Sequence, residues 1–246
     1  MIWRFVLLIW LGLSGAMVRA DVLVFAAASL KEPVDAIAVS LDDVVVSYGG
    51  SGTMARQVSL GAPVDVVLLA NKDWMDVLVE GGHVVPASVI DFASNRLVLI
   101  GDAQEDVLAL EAGDLLQALD GGRMALGLTE AVPAGIYAKS ALQSLDLWEA
   151  LSDRLAEVDN VRAALTLVAR GQAPLGIVYA TDLRITDAVR QLAIFPSDSH
   201  PPIRYQAALT RNADPAAQAF LDTLTGPEGR EKLAASGFLP PLAVGE

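Results

Sequence analysis

The chain has 246 residues, no cysteine and a formal net charge of −13. This length is sufficient for one large domain or for two lobes of ordinary size. Without cysteine, the protein has no disulfide, no thiolate metal site and no cysteine nucleophile. The acidic balance argues against a general nucleic-acid binder, because neutralising phosphates requires a basic surface.

The first twenty residues have the pattern of a secretory signal peptide. Arg4 precedes an apolar run over residues 5–13, and small residues then lead to Val18-Arg19-Ala20. The run is shorter than the ~20 residues of a membrane span, which argues against an uncleaved anchor. We therefore expect cleavage after Ala20 and a periplasmic location. The loss of Arg4 and Arg19 would make the net charge −15.

Short β-rich runs alternate with amphipathic helical stretches along the rest of the chain. Strands are predicted at residues 22–26, 44–48, 65–69, 97–100, 124–128, 176–179, 192–195 and 203–210. Helices are predicted at about 30–41, 53–60, 72–81, 115–119, 133–145 and 161–171, and after residues 214 and 226. This alternation indicates βαβ units and an α/β fold with mostly parallel sheets. The number of strands weakly favours two lobes over one doubly wound sheet.

Enzyme signatures are mostly missing from the sequence. The nearest match to the G-x-S-x-G motif of serine hydrolases is residues 49–53, where Thr53 replaces the last glycine. His83 and His200 both lie in predicted loops, and no metal-binding or phosphate-binding loop motif is present. We therefore expect a protein that is not an enzyme. A secreted serine hydrolase using Ser29 or Ser51 stays an alternative that lacks a histidine partner.

Several predicted helices begin where small residues end a strand. This happens at residues 26–30, 49–53 and 132–135, and a fourth helix begins at residues 159–161. Helix N-termini carry free N–H groups and a partial positive charge, so they bind anions readily. Small residues allow the backbone to approach a ligand closely.

Hydroxyl groups accompany these helix starts. Ser29 and Ser51 lie at two of them, and Tyr179 lies at the carboxyl end of its predicted strand, where ligands bind in open α/β sheets. The ordinary alternative is that such residues are N-caps, with Pro133 in the favoured first turn.

Seven stretches of the chain occur in the order of one known protein family. They are Val24-Phe-Ala-Ala-Ala-Ser-Leu30, Gly50-Ser-Gly-Thr-Met-Ala-Arg-Gln57, Gly61-Ala-Pro-Val-Asp65, Val132-Pro-Ala-Gly-Ile-Tyr-Ala-Lys139, Asn160-Val-Arg162, Ala173-Pro-Leu-Gly-Ile-Val-Tyr179 and Phe195-Pro-x-x-Ser-His200. The chain thereby resembles the periplasmic molybdate-binding proteins of ABC importers, which belong to the type II periplasmic solute-binding proteins.

The resemblance implies a two-lobed periplasmic binding protein fold with two crossing segments. Lobe 1 would contain residues 21–101 and 203–246, and lobe 2 residues 102–202. It also implies a monomer without a cofactor, which binds molybdate or tungstate and delivers the anion to an ABC transporter permease.

The resemblance further implies the residues that contact the oxyanion. They are Ser29, Ser51, Ala134, Val161 and Tyr179, with hydroxyls from the two serines and the tyrosine and backbone N–H groups from the first four. No metal would be coordinated directly by side chains. The loop at residues 49–52 has fewer serines than many relatives, which removes hydroxyls that would supplement Ser51.

A site made only of donors suits a fully deprotonated dianion, whereas protonated phosphate gains from an acceptor such as aspartate. No acidic residue lies in the first three of these loops, although Glu130 and Asp159 are close in sequence. This disfavours phosphate but does not separate molybdate from sulfate, so a sulfate-binding protein stays an alternative.

Overall fold

The computed structural model describes residues 21–41 and 43–243, so the expected signal peptide lies outside the described residues. These residues form two five-stranded sheets flanked by helices. The strands are β1 (Val22–Ala27), β2 (Val44–Gly49), β3 (Val66–Leu69), β4 (Ile90–Ser94), β5 (Leu97–Asp102), β6 (Met124–Gly127), β7 (Leu155–Val158), β8 (Leu175–Tyr179), β9 (Val189–Ile194) and β10 (Arg204–Leu209). The helices are α1 (Lys31–Ala38), α2 (Ser51–Ser59), α3 (Lys72–Glu80), α4 (Ala112–Leu119), α5 (Pro133–Ser144), α6 (Trp148–Leu151), α7 (Val161–Ala169), α8 (Ala217–Thr225) and α9 (Pro227–Ala235).

The first sheet has the strand order β2-β1-β3-β10-β4. β1 is parallel to β2 and β3, whereas β10 is antiparallel to both β3 and β4. The carboxyl ends of β1, β2 and β3 therefore meet at one edge, and the chain turns there into the next helix. Helices α1, α2, α3, α8 and α9 accompany this sheet and form the first lobe with it.

The second sheet has the order β7-β6-β8-β5-β9. β6 is parallel to β7 and β8, and β5 is antiparallel to β8 and β9. Helices α4 to α7 accompany it and form the second lobe. The mixed α/β fold with two lobes, expected from the resemblance, is confirmed.

The sheet pairing corrects one lobe boundary. β5 pairs with β8 and β9, so the chain enters the second sheet at Leu97 and not after residue 101. β4 and β5 are separated only by Asn95 and Arg96, and both strands have buried residues, so hydrophobicity gives no sign of the change. The chain returns through residues 195–203. Two segments thus cross between the lobes.

Most predicted elements occur within a few residues of their expected bounds. β4, β7 and α6 are not predicted, because each is short and carries an acidic residue at an inner position. Helix α1 begins at Lys31, after a single 3₁₀ turn at Ala28–Leu30. Helix α8 begins at Ala217, later than expected from the Asp214-Pro215 pair.

The larger hydrophobic cluster contains buried residues of both lobes, among them Phe92 and Tyr205 of the first and Leu97 and Tyr179 of the second. The apolar core therefore continues across the crossing segments. In the part of the chain that the structure describes, none of the helices combines the length and apolar character needed to cross a bilayer.

Candidate functional site

A small cavity lies between the lobes, where the carboxyl ends of parallel strands from both sheets face each other. It contains all five residues expected to contact an oxyanion. Its lining residues are Ala27, Ala28, Ser29, Gly49, Gly50, Ser51, Ala70, Val132, Pro133, Ala134, Asn160, Val161 and Tyr179. The accessible volume of the cavity is about 10 Å³, far less than the roughly 300–1,000 Å³ of sites for drug-sized ligands. The cavity therefore suits a compact ligand of few atoms.

Ser51 is the first residue of α2, and Gly50 is the N-cap. The Met54 N–H donates to the Gly50 carbonyl at 3.0 Å, so the N–H groups of the first turn have no partner within the helix. The Ser51 Oγ accepts a hydrogen bond from the Ala70 N–H at 3.0 Å. Its own proton is thus available to a ligand, and Ser51 does not cap the helix.

Ser29 lies in the 3₁₀ turn that continues into α1, and it is also not an N-cap, since Ala27 has that position. Its Oγ is 3.0 Å from the hydroxyl of buried Tyr205. The Asn95 Nδ2 lies 3.4 Å from the same Tyr205 oxygen and can only donate, while the Asn95 Oδ1 accepts from the Arg96 N–H. The Tyr205 hydroxyl can therefore donate its proton to the Ser29 Oγ. The Ser29 hydroxyl can in turn donate its own proton to a ligand in the cavity.

Two helices of the second lobe provide the remaining backbone N–H donors of the cavity. α5 begins at Pro133, and its first hydrogen bond runs from the Ile136 N–H to the Val132 carbonyl at 2.9 Å. The Ala134 N–H therefore has no partner within the helix. α7 begins at Val161, and the Asn160 side chain accepts from the Ala163 N–H at 3.0 Å. Asn160 is thus an ordinary N-cap, as the alternative to a binding role predicts for residues at helix starts. The Val161 N–H has no partner within the helix.

Tyr179 ends β8 and is buried, with 1% of its surface exposed. Its hydroxyl makes no hydrogen bond of good distance and angle within the described part of the chain, although the Tyr205 hydroxyl is close enough to affect it. Burial, together with nearby Tyr205, Tyr137 and Asp182, raises the pKa of the Tyr179 hydroxyl well above its ordinary value. A neutral phenol without a partner is a donor held ready for a ligand, because a buried polar group otherwise costs about 1–3 kcal/mol.

None of the described residues that line the cavity is acidic or basic. Glu130 pairs with Lys139 and is mostly exposed. Buried Asp182 accepts from the Tyr179 N–H at 2.9 Å and lies 2.7 Å from the Arg162 Nε. Burial raises the pKa of the Asp182 carboxyl to about 6, although Arg162 and the Tyr179 N–H oppose the shift. The cavity itself offers neutral donors.

Contacts between the lobes enclose the cavity. The Trp74 Nε1 donates to the Ala131 carbonyl at 2.9 Å, and the Tyr137 hydroxyl lies 3.4 Å from the Ala70 carbonyl. Arg162 contacts Glu32 across the same cleft. Sequence reasoning missed these contacts and the Tyr205–Ser29 pair, because no periodicity or motif connects residues so far apart in the chain.

The chain matches the family model described as bacterial extracellular solute-binding protein over residues 22–239. It is 40% identical to the molybdate-binding protein ModA of Escherichia coli K12 over 229 residues, covering 89% of each chain. The periplasmic molybdate-binding protein of Azotobacter vinelandii superposes with a TM-score of 0.77 at 24% identity, covering 90% of this chain and 100% of that one.

The sulfate-binding protein SubI of Mycobacterium tuberculosis superposes with a TM-score of 0.72 at 18% identity, covering 90% of this chain and 87% of that one. At this level of identity the likeness shows the shared fold alone. The match of the family model and the identity to ModA extend over nearly the whole described chain. The chain therefore belongs to the family of bacterial extracellular solute-binding proteins that includes these ModA relatives.

Proposed function

We propose that the protein binds molybdate or tungstate outside the cytoplasm, through Ser29, Ser51, Ala134, Val161 and Tyr179, and delivers the anion to an ABC-type membrane permease. The observation that carries this proposal is a small cavity between the lobes that is lined by neutral donors, with the unpartnered, buried hydroxyl of Tyr179 among them. Binding without catalysis agrees with the family.

The donor set favours an anion that carries no proton. Each hydrogen bond to a charged ligand contributes about 1.5–3 kcal/mol, so several donors together support tight binding. Neutral donors also avoid the cost of desolvating a buried lysine or arginine beside the ligand. Because the cavity lining contains no carboxylate, the proton of hydrogen phosphate would find no acidic acceptor there.

Calorimetry of the mature protein with molybdate, tungstate, sulfate and phosphate tests the proposal. We expect clear binding of molybdate and tungstate and little or none of sulfate and phosphate. Ser51→Ala should weaken molybdate binding by about 1–3 kcal/mol through the loss of one donor to a charged ligand. Ser59→Ala, at the other end of the same helix, is the matched control and should bind like the wild type.

Two outcomes would contradict this assignment. Preferential sulfate binding would make the chain a sulfate-binding protein with the same donor set. An unchanged affinity in Ser51→Ala would remove this serine from the site.

The extracellular family supports export through the N-terminal segment, with cleavage after Ala20 and a periplasmic, monomeric product. N-terminal sequencing of the exported protein checks the cleavage site, and size-exclusion chromatography with light scattering checks the monomer. Transfer to the permease is checked by uptake of molybdate into membrane vesicles that contain the importer.

A further inference from the structure

One guanidinium group contacts both lobes beside the cavity. Arg162 is the second residue of α7, and its Nε lies 2.7 Å from the Asp182 Oδ1 within the second lobe. Across the cleft, its Nη1 and Nη2 donate to the two carboxylate oxygens of Glu32 at 3.0 and 2.6 Å. Its Nη2 also lies 3.2 Å from the Ser29 carbonyl. Arg162 is therefore held by one partner in its own lobe and two in the other.

These contacts connect the turns that carry ligand donors. Arg162 follows Val161 directly, and the Ser29 carbonyl belongs to the turn that presents the Ser29 hydroxyl to the cavity. Glu32 is in the first turn of α1, three residues after Ser29. A guanidinium that pulls Ser29 and Glu32 towards α7 thus sets the separation of donors from the two lobes.

The three charged side chains differ in how far they are exposed to solvent. The Asp182 side chain is fully buried and that of Arg162 is 18% exposed, whereas that of Glu32 is 43% exposed. The ion pair with buried Asp182 therefore lies within the second lobe, whereas the pair with Glu32 connects the two lobes. A guanidinium already fixed in place loses little side-chain freedom on pairing, and its two parallel hydrogen bonds to a carboxylate are strong.

We propose that Arg162 and Glu32 form a latch that holds the lobes together over the bound anion and slows its release. This inference rests on the proposed function and assigns Arg162 as a positioning residue, one that acts through Ser29 and Val161. Most of the latch energy is gained after the anion has entered, so the latch acts on dissociation more than on association.

Electrostatics alone predicts the opposite effect for Glu32. A carboxylate near the cavity repels a dianion, so its removal would tighten binding if repulsion dominated. The latch predicts instead that removal of the carboxylate speeds release. The sign of the change in the dissociation rate therefore separates the two effects.

The experiment compares Glu32→Gln with Asp76→Asn, which removes one carboxylate from an exposed pair with Lys72 in the same lobe. Stopped-flow tryptophan fluorescence gives the molybdate association and dissociation rates. We expect dissociation from Glu32→Gln to be about fivefold to tenfold faster, with association within about twofold of the wild type, because a partly exposed bidentate pair contributes near the upper end of surface ion pairs. Asp76→Asn should be unchanged in both rates. A dissociation rate in Glu32→Gln equal to or below that of the wild type overturns the latch.

A second measurement does not depend on molybdate being the ligand. Since the chain has no cysteine, spin labels at Gln57→Cys on α2 and Gln143→Cys on α5, both exposed, report the distance between the lobes. We expect Glu32→Gln to shift the distance distribution towards greater separation than in the wild type, with or without anion. Identical distributions in both conditions contradict the latch, whereas failure of the wild type to bind any tested anion contradicts the proposed function.

Discussion

Tyr205 illustrates how a residue outside the cavity lining acts on one inside it. Its hydroxyl lies 3.0 Å from the Ser29 Oγ, and its oxygen accepts a hydrogen bond from the Asn95 Nδ2. Burial raises the pKa of Tyr205 above its ordinary value, so the phenol stays protonated and donates. Ser29 can then offer its own proton to an anion, and hydrogen bonds in such a chain strengthen one another.

Tyr205→Phe is therefore expected to weaken anion binding by about 1–2 kcal/mol, because Ser29 loses the donor that orients its hydroxyl. Calorimetry with molybdate measures the change. The matched control is Tyr48→Phe, which removes a hydroxyl bonded to Asp35 at the outer side of α1. Equal affinities of both variants and the wild type would show that Ser29 does not depend on Tyr205.

At the residue scale, the sequence identifies the residues that line the cavity better than the residues that contact and orient them. The turns that contain Ser29, Ser51, Ala134 and Val161 are found because small residues and helix starts follow strands, a pattern within a few neighbouring positions. The choice of the individual residues comes from the family resemblance. Tyr205 and Ser29 are 176 positions apart, and Arg162 and Glu32 are 130 apart. Such pairs depend on how the lobes fold and meet, which no local pattern contains.

Among the elements, the start of α2 is shaped for close contact with the second lobe. A Cβ added to Gly50 would lie 2.5 Å from the Asp159 carbonyl oxygen, and one added to Gly52 would lie 2.5 Å from the Ala131 carbonyl oxygen. Real Cβ atoms do not approach backbone oxygen so closely. Glycine at these positions therefore allows the lobes to meet.

Gly50→Ala should reduce anion affinity at least tenfold, because the new methyl group would hold the lobes apart and break donor contacts of about 1.5 kcal/mol or more. The free energy of unfolding without ligand should change little, since the new methyl group would clash only with the other lobe and not within its own. Calorimetry and urea denaturation measure the two quantities. Gly113→Ala on α4, where a Cβ meets nothing within 4 Å, is the control. A normal affinity in Gly50→Ala would mean that binding does not require this approach.

Element prediction succeeds where a strand is apolar and a helix follows it, as in β1, β3 and β8. It fails for β7, a short edge strand of alternating burial, and for the membership of β5 in the second sheet. β7 has only four residues, and one of them is Glu157, so its composition resembles that of a loop. Sheet membership depends on pairing partners, which apolar character does not specify.

For the whole molecule, stability should depend on the ionisation of Asp182. Its pKa in the folded protein is raised from 3.8 to about 6 by burial. Between these values the folded protein holds a proton that the unfolded chain has released, so stability falls as pH rises through this window and is constant above it. One unit of pKa shift corresponds to about 1.4 kcal/mol.

The free energy of unfolding of the wild type, measured relative to that of Asp182→Asn, should therefore decrease by about 2 kcal/mol between pH 4 and 6. Subtracting the variant removes the contribution of other titrating groups that both proteins share. Urea denaturation at a series of pH values provides the data. A difference that is flat, or that increases with pH, would show that Arg162 offsets the burial of this carboxyl.

The position of β10 has a consequence for the order of folding. This strand enters the first sheet from residue 204 onwards and separates β3 from β4. The second sheet, in contrast, is complete once β9 ends at residue 194. A chain that emerges with its N-terminus first can thus complete the second sheet before the first, which stays divided until β10 has also appeared.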